Sequence, residues 1–315
     1  MRLSTIRADL LLLCAAVIWG SGFVAQRLGS EHLDAFAFTG LRFTLGTLLL
    51  LPLLKFAKWP KHVAPVFSWR ATTRGGIMAG IAMTLAATVQ QHGLGQTTAS
   101  KGAFITSLYV VFVPYVAILL TRHRIGWAVW TGVALAAVGL ALLSDAPISA
   151  LLGNETDTTM NGGDWWILLC AILWAFHVVI VGIYSRDAEP IRLSLIQLGM
   201  TGGITLAIAF ARGSVGVESI DAAKWAVLYG AVLPVAVAFT LQMIAQRHAP
   251  PAHTALILSL ESVFGMIAGI LFLAERPTGQ QYVGAGLMLA GVVVSQVFQP
   301  QKADVETAEP ARDES

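Results

Sequence analysis

From Ala8 to Phe298 the chain is a string of apolar runs, with most of its charged residues crowded into the short stretches between them. A hydrocarbon core about 30 Å thick is crossed by roughly 20 apolar residues in a helix. The runs 8–28, 35–55, 75–94, 99–121, 126–144, 164–184, 191–211, 223–245, 252–274 and 279–298 all approach that length. Of the 315 residues, 56% are hydrophobic and only 12% charged. A soluble domain carries about a quarter charged residues, so these are too few to cover a soluble surface. The expectation is an all-α membrane protein with ten transmembrane helices.

Orientation follows from where Lys and Arg fall in the loops. With the N-terminus inside, inner segments hold 14 of them and outer segments and their edges hold 5, with Arg42 left within a span. The long outer stretch from Asp145 to Asp164 has no Lys or Arg and four acidic residues. The bias predicts both termini in the cytoplasm and a multi-pass protein of the cell (inner) membrane. Arg2 and Arg7 precede the first apolar run, but no clear small-residue cleavage site follows, so that run reads as an uncleaved span. The polar, acidic tail 300–315 reads as disordered and cytoplasmic. Cys14 and Cys170 lie inside apolar runs, as buried small hydrophobes rather than a disulfide framework.

Sliding the chain on itself by 152 residues aligns 103–139 with 255–291 without a gap. Identical pairs include Ser107/Ser259, Leu108/Leu260, Phe112/Phe264, Arg124/Arg276, Gly132/Gly284 and Gly139/Gly291. Gln90 falls on Gln242 at the same offset and, with a small shift, Trp19 falls on Trp174. Two repeats emerge, 1–145 and 160–299. Each holds five spans, and five is odd, so the second repeat enters the membrane from the opposite side. Such inverted repeats mark secondary transporters, whose solute site lies near the bilayer midplane between the halves.

The sequence resembles the drug/metabolite transporter superfamily in its ten-helix EamA-type branch. The resemblance rests on Trp19-Gly20, Arg42-Phe43, the stretch Gln90 to Lys101, and Phe104-Ile105-Thr106 to Pro114. In the second repeat it rests on Ser259 to Phe264, Ala274-Glu275-Arg276, and Gly284 to Gly291. It covers roughly 8–298. It implies transport of small metabolites, often export, through a central cavity between the halves, and names no solute.

Glu261 stands as the only charge between Leu256 and Leu273. An ionisable group at the bilayer centre costs at least a few kcal/mol and is a functional candidate by default. A carboxyl there suits proton coupling; the plainer role is a hydrogen bond between helices. Its repeat partner is Tyr109. His177 lies three residues after Trp174, on the same helix face, and is the second candidate for proton or solute contact. Gln90, Gln91 and Gln242 are amides in apolar helices that either line the cavity or bond helix to helix. Thr84, Thr88 and Gln91 recur at helical spacing, as do Thr106 and Tyr109, and predict a polar wall. Trp19 and Trp174 sit within spans, whereas Trp127, Trp130, Trp165 and Trp225 suit the interfacial belt. The predicted cavity is thus Trp19, Gln90, Gln91, Thr106, Tyr109, Trp174, His177, Gln242 and Glu261. Arg42 should snorkel or find a carboxylate or carbonyls. Lys101 suits an anchor or a lure for anions, and Glu275 with Arg276 an interfacial cap or pair. Pro114 and Pro234 should kink their helices. Gly199 with Gly203 and Gly265 with Gly269 fit small-residue packing.

No HExxH, GxSxG or P-loop is present, and neither zinc-ligand spacing nor paired aspartates. The leading expectation is a carrier, not an enzyme, with no cofactor or metal. A membrane-embedded enzyme or a channel is the alternative. Expected partners are a small-molecule solute and the lipid bilayer, without nucleic acid, for a monomer or homodimer.

Overall fold

The computed structural model describes residues 3–56, 68–122, 125–143, 162–273 and 276–298. The expectations for Arg124, Glu275 and the tail 300–315, and for 145–161 of the outer stretch, fall outside these residues. Among the described residues every regular element is a helix. In chain order the first repeat holds α1 (Leu3–Gly29), α2 (Ala35–Leu50), α3 (Trp69–Leu94), α4a (Ala99–Ser107) with α4b (Tyr109–Thr121), and α5 (Trp127–Leu143). The second holds α6 (Gly162–Tyr184), α7 (Pro190–Ala211), α8a (Val217–Gly230), a π-helical stretch Ala231–Ala238 and α8b (Phe239–Ala245). It ends with α9a (Pro251–Leu258), α9b (Glu261–Leu273) and α10 (Gly279–Val297). Seven spans are long and apolar enough to cross a membrane on those grounds alone. α3, α5 and α10 complete the ten.

The boundaries differ from the apolar runs mainly at α3 and α8a. Both helices start about six residues before their runs, inside charged sequence. Arg70 and Arg74 ride the first turns of α3, and Asp221 accepts from Lys224 at 2.9 Å on α8a. Hydropathy marks where a helix meets lipid, whereas hydrogen bonding sets where it begins. Side chains cap several starts, that of α3 among them though not that of α8a: Asp34 accepts from Ala37, Ser68 from Ala71, Thr98 from Lys101, and Glu189 from Ile191 and Arg192.

The repeats pack as symmetry mates. A Cβ on Gly132 would lie 2.7 Å from the Gly291 carbonyl oxygen, and one on Gly139 only 2.5 Å from that of Gly284. Gly132 is the repeat partner of Gly284, and Gly139 of Gly291. Each glycine therefore meets its partner's neighbour, which is the self-complementary pattern of a two-fold interface. It places the pseudo-axis between α5 and α10. The same happens where α2 crosses α7: a Cβ on Gly202 would meet Thr44, and one on Gly199 would meet Thr47. Gly203 faces open space, so Gly202, not Gly203, makes the close approach with Gly199. The outer surface is apolar, with Val17, Ile81, Leu85, Leu119 and Val293 exposed. Trp127 and Trp165 are exposed at helix starts, and Trp225 is exposed midway along α8a. Cys170 is buried as expected, but Cys14 is exposed, because a helix that is apolar all round says nothing about which face turns outward.

α4 and α9 break at the same repeat position. Leu108 and Leu260 each donate to the carbonyl three residues back, and the helix restarts at Tyr109 and at Glu261. The breaks follow the shared Ser-Leu pairs, not Pro114. α4b runs through Pro114 without interruption, whereas Pro234 sits inside the π-helical stretch of α8. The interruption of α4 therefore lies six residues before Pro114, and α8 distorts by widening rather than by ending.

Candidate functional site

Between the repeats lies a cavity with about 570 Å³ of empty space, including the part open to solvent. Its wall carries Trp19, Gln90, Thr106, Tyr109, Trp174, His177, Gln242 and Glu261. Phe23, Gln26, Arg42, Phe43, Val178, Pro234, Phe239 and Leu258 complete it. Much of this wall is made of repeat partners. Trp19 stands 155 residues before Trp174, as Phe23 does before Val178. Gln90, Thr106 and Tyr109 stand 152 residues before Gln242, Leu258 and Glu261. The frame is symmetric, but its chemistry is not: Arg42, His177 and Glu261 have no charged or ionisable equivalent apart from the phenol of Tyr109.

Phe239 is the hub of the apolar wall. Its ring centroid lies 4.9 Å from that of Trp19, 5.8 Å from Trp174, 5.9 Å from Phe43 and 6.0 Å from His177. The Trp19 indole donates to the Pro234 carbonyl at 3.0 Å, which ties α1 to the π-helical stretch. π-helical turns recur at functional sites. The Trp174 indole N–H has no acceptor among the described residues.

The polar wall is largely bonded. Gln90 Nε2 donates to Thr106 Oγ1 at 3.1 Å. Gln242 Nε2 donates to Gln246 Oε1 at 2.8 Å, and Gln246 donates in turn to the Val178 carbonyl. His177 Nε2 meets Gln197 Oε1 at 3.0 Å, leaving Nδ1 buried without a partner. Ser107 donates to Glu261 Oε1 at 3.3 Å and also contacts Ser262, whose hydroxyl bonds back to the Ala103 carbonyl. The two helix breaks thus touch through the carboxyl. The Tyr109 hydroxyl interacts electrostatically with that carboxyl yet makes no hydrogen bond of normal geometry.

Not every expected residue reaches the cavity. Gln91 turns away from it and donates to the Gln26 carbonyl at 2.9 Å. Neighbouring helical residues point about 100° apart, and here that step carries the Gln91 side chain off the wall that Gln90 lines. Thr84 bonds Gly80 and Thr201 between α3 and α7, and neither Thr84 nor Thr88 lines the wall. His92 is exposed beside Gln96 and Trp166. Phe239, Phe43 and Arg42 were absent from the expected set. Only Arg42 carried a signal, its charge within a span.

Two further pairs, outside the cavity wall, join the two repeats. Where α4 and α6 begin, Lys101 Nζ lies 2.5 Å from Asp164 Oδ2, and Thr97 donates to Oδ1 at 2.8 Å. Where α1 and α9 begin, His253 Nε2 lies 2.9 Å from Asp9 Oδ1. Asp9 and Asp164 stand 155 residues apart, and Lys101 and His253 stand 152 apart. The pairs are therefore equivalent under the repeat.

Ten membrane-crossing helices in two inverted repeats around a lined cavity define a membrane transporter. Residues 6–145 and 161–296 each match the EamA-like transporter family, and the chain belongs to that family, within the drug/metabolite transporter superfamily. It is 32% identical over 288 residues to an uncharacterized transporter of Archaeoglobus fulgidus, covering 91% of this chain and 85% of that one. An uncharacterized transporter of Synechocystis is 23% identical over 300 residues, covering 92% and 89%. A solved crystal structure shares the fold with a TM-score of 0.70 at 16% identity, covering 92% of this chain and 96% of that one.

Proposed function

We propose that the protein is a secondary carrier that moves a small metabolite or drug-like solute by alternating access, in the export direction. The observation that carries this reading is the cavity itself: repeat partners from both halves line it, and both broken helices meet there. Inverted repeats rocking about a fixed site of broken helices are the structural basis of alternating access. Trp19, Trp174, Gln90, Gln242, Thr106 and Tyr109 contact the solute, and Gln91 supports the wall from behind. The repeats 1–145 and 160–299 act as the two moving halves. Both termini lie on the cytoplasmic side of the cell membrane, as the Lys and Arg bias supports. The working unit is a monomer or homodimer that needs only the lipid bilayer and its solute.

Protein reconstituted in liposomes should move such a solute saturably without ATP. A flux that rises linearly and never saturates would point to a channel and sink the carrier reading. Glu261, with His177 second, is the proton-coupling group. Glu261→Gln should abolish accumulation driven by a pH gradient while sparing counterflow exchange. Unchanged pH-driven accumulation in that variant would remove Glu261 from the mechanism.

A further inference from the structure

Among the described residues, Arg42 is the one cationic side chain of the Arg or Lys type on the cavity wall, and it has no ion-pair partner there. Its residue is 4% exposed, its Nε is buried without a partner, and it lines the cavity. Among the described residues no carboxylate or carbonyl lies within ion-pair or hydrogen-bond distance of its guanidinium. Instead Cζ sits 5.3 Å from the Phe38 ring centroid and 5.1 Å from that of Phe43. Those rings hold the cation in place but accept none of its hydrogen bonds. Space is kept for it: a Cβ on Gly230 would come within 3.3 Å of Arg42 Cδ. Glu261 bonds Ser107 and one nitrogen of His177 bonds Gln197, so both have a polar partner on the frame where the guanidinium has none. Gln197, which stands 155 residues after Arg42, is the repeat counterpart and is spent on His177. The cation therefore exists in one repeat only.

A buried charge without a partner is costly, and a guanidinium pairs best with a planar anion through two parallel N–H···O bonds. Phe239 and the indoles of Trp19 and Trp174 offer an apolar, aromatic surface in the same cavity. We infer that Arg42 is the recognition group for a carboxylate, and that the solute is a small organic anion whose apolar body rests on Phe239 and the two tryptophans. This rests on the carrier reading for its role in transport, but the binding step can be tested alone.

The test uses purified full-length protein in detergent, with thermal shift and tryptophan quenching as readouts. The probes are benzoate, phenylacetate and indole-3-acetate, each beside its neutral amide, with inorganic phosphate as a separate probe. Wild type should bind the carboxylates at least about tenfold more tightly than their amides. Arg42→Gln should erase that preference, and Arg42→Lys should keep part of it. The comparison within wild type needs no variant, so a misfolded variant does not decide the matter. Equal binding of acid and amide, binding of neither, or a preference retained in a folded Arg42→Gln would overturn the inference. So would occupancy by phosphate alone. Carboxylate binding without saturable flux would leave Arg42 standing and sink the carrier. Saturable flux confined to neutral or cationic solutes would do the reverse.

Discussion

The two repeats are bridged at two equivalent positions, at opposite ends of the bundle of inverted repeats, yet with different chemistry. Where α4 and α6 begin, Asp164 is fully buried and both its oxygens are engaged, one by Lys101 and one by Thr97. Where α1 and α9 begin, the pair is only half bonded: Asp9 Oδ2 and His253 Nδ1 are buried without partners. Lysine brings its charge with it, whereas histidine makes an ion pair only when it carries a second proton. A saturated buried network holds firmly, and a partly satisfied one holds less. Under alternating access the Asp9–His253 end should open more readily than the Lys101–Asp164 end. Inversion puts these ends on opposite faces, so the inequality would give the carrier a preferred resting state.

The comparison can be broken most strongly at Asp164. Asp164→Ala removes the Lys101 pair and the Thr97 bond together. It should lower stability by about 3 kcal/mol, the low end for a broken buried pair because Lys101 is half exposed. Asp9→Ala should cost clearly less in the same detergent unfolding measurement. Equal losses would end the claim that the two ends differ. Gly132→Ala tests the shared axis instead. Its new methyl would strike the Gly291 carbonyl, and overpacking of this kind costs about 2 kcal/mol. Because α5 and α10 serve both repeats, transport measured from either side should fall together, while Gly286→Ala, with open space around it, should change little. His253→Lys would make the ends alike and should slow opening at the α1 end about tenfold, or about 1.4 kcal/mol. Exchange kinetics unchanged from wild type would show that the histidine has no special part. The smallest effect belongs to Thr97→Val. It strips one bond from Asp164, costing about 1 kcal/mol, and should bring that end toward the half-bonded state of its counterpart.

The legibility of these features follows their physics. Glu261 and His177 were visible because an ionisable group in an apolar run is expensive wherever the helix faces. Trp19 and Trp174 were visible because the repeat pairs them. Phe239 was not: one aromatic in an apolar stretch carries no mark, and only packing gathers Trp19, Trp174, Phe43 and His177 around it. Gln90 and Gln91 looked alike because hydropathy does not set the rotation of a helix that is apolar on every side. The glycine seam was half visible. The repeat named Gly132, Gly139, Gly284 and Gly291, but their crossed contacts needed the packed helices. Kinks were expected at Pro114 and Pro234. α4 and α9 instead break after Ser107 and Ser259, where no single residue type demands it.

The two bridging pairs divide what each level of description can decide. The amino-acid sequence alone determined that the chain crosses the membrane in ten spans and does so as two inverted halves. Apolar length and a 152-residue self-match are local or linear properties, and the bilayer converts them directly into helices and their direction. Only the tertiary structure decided which side chains meet. Asp9 and His253 lie 244 positions apart, and no periodicity couples them. Their meeting depends on how two repeats fold onto one axis, and it is there that Arg42 acquires a cavity to face and Asp164 its second partner.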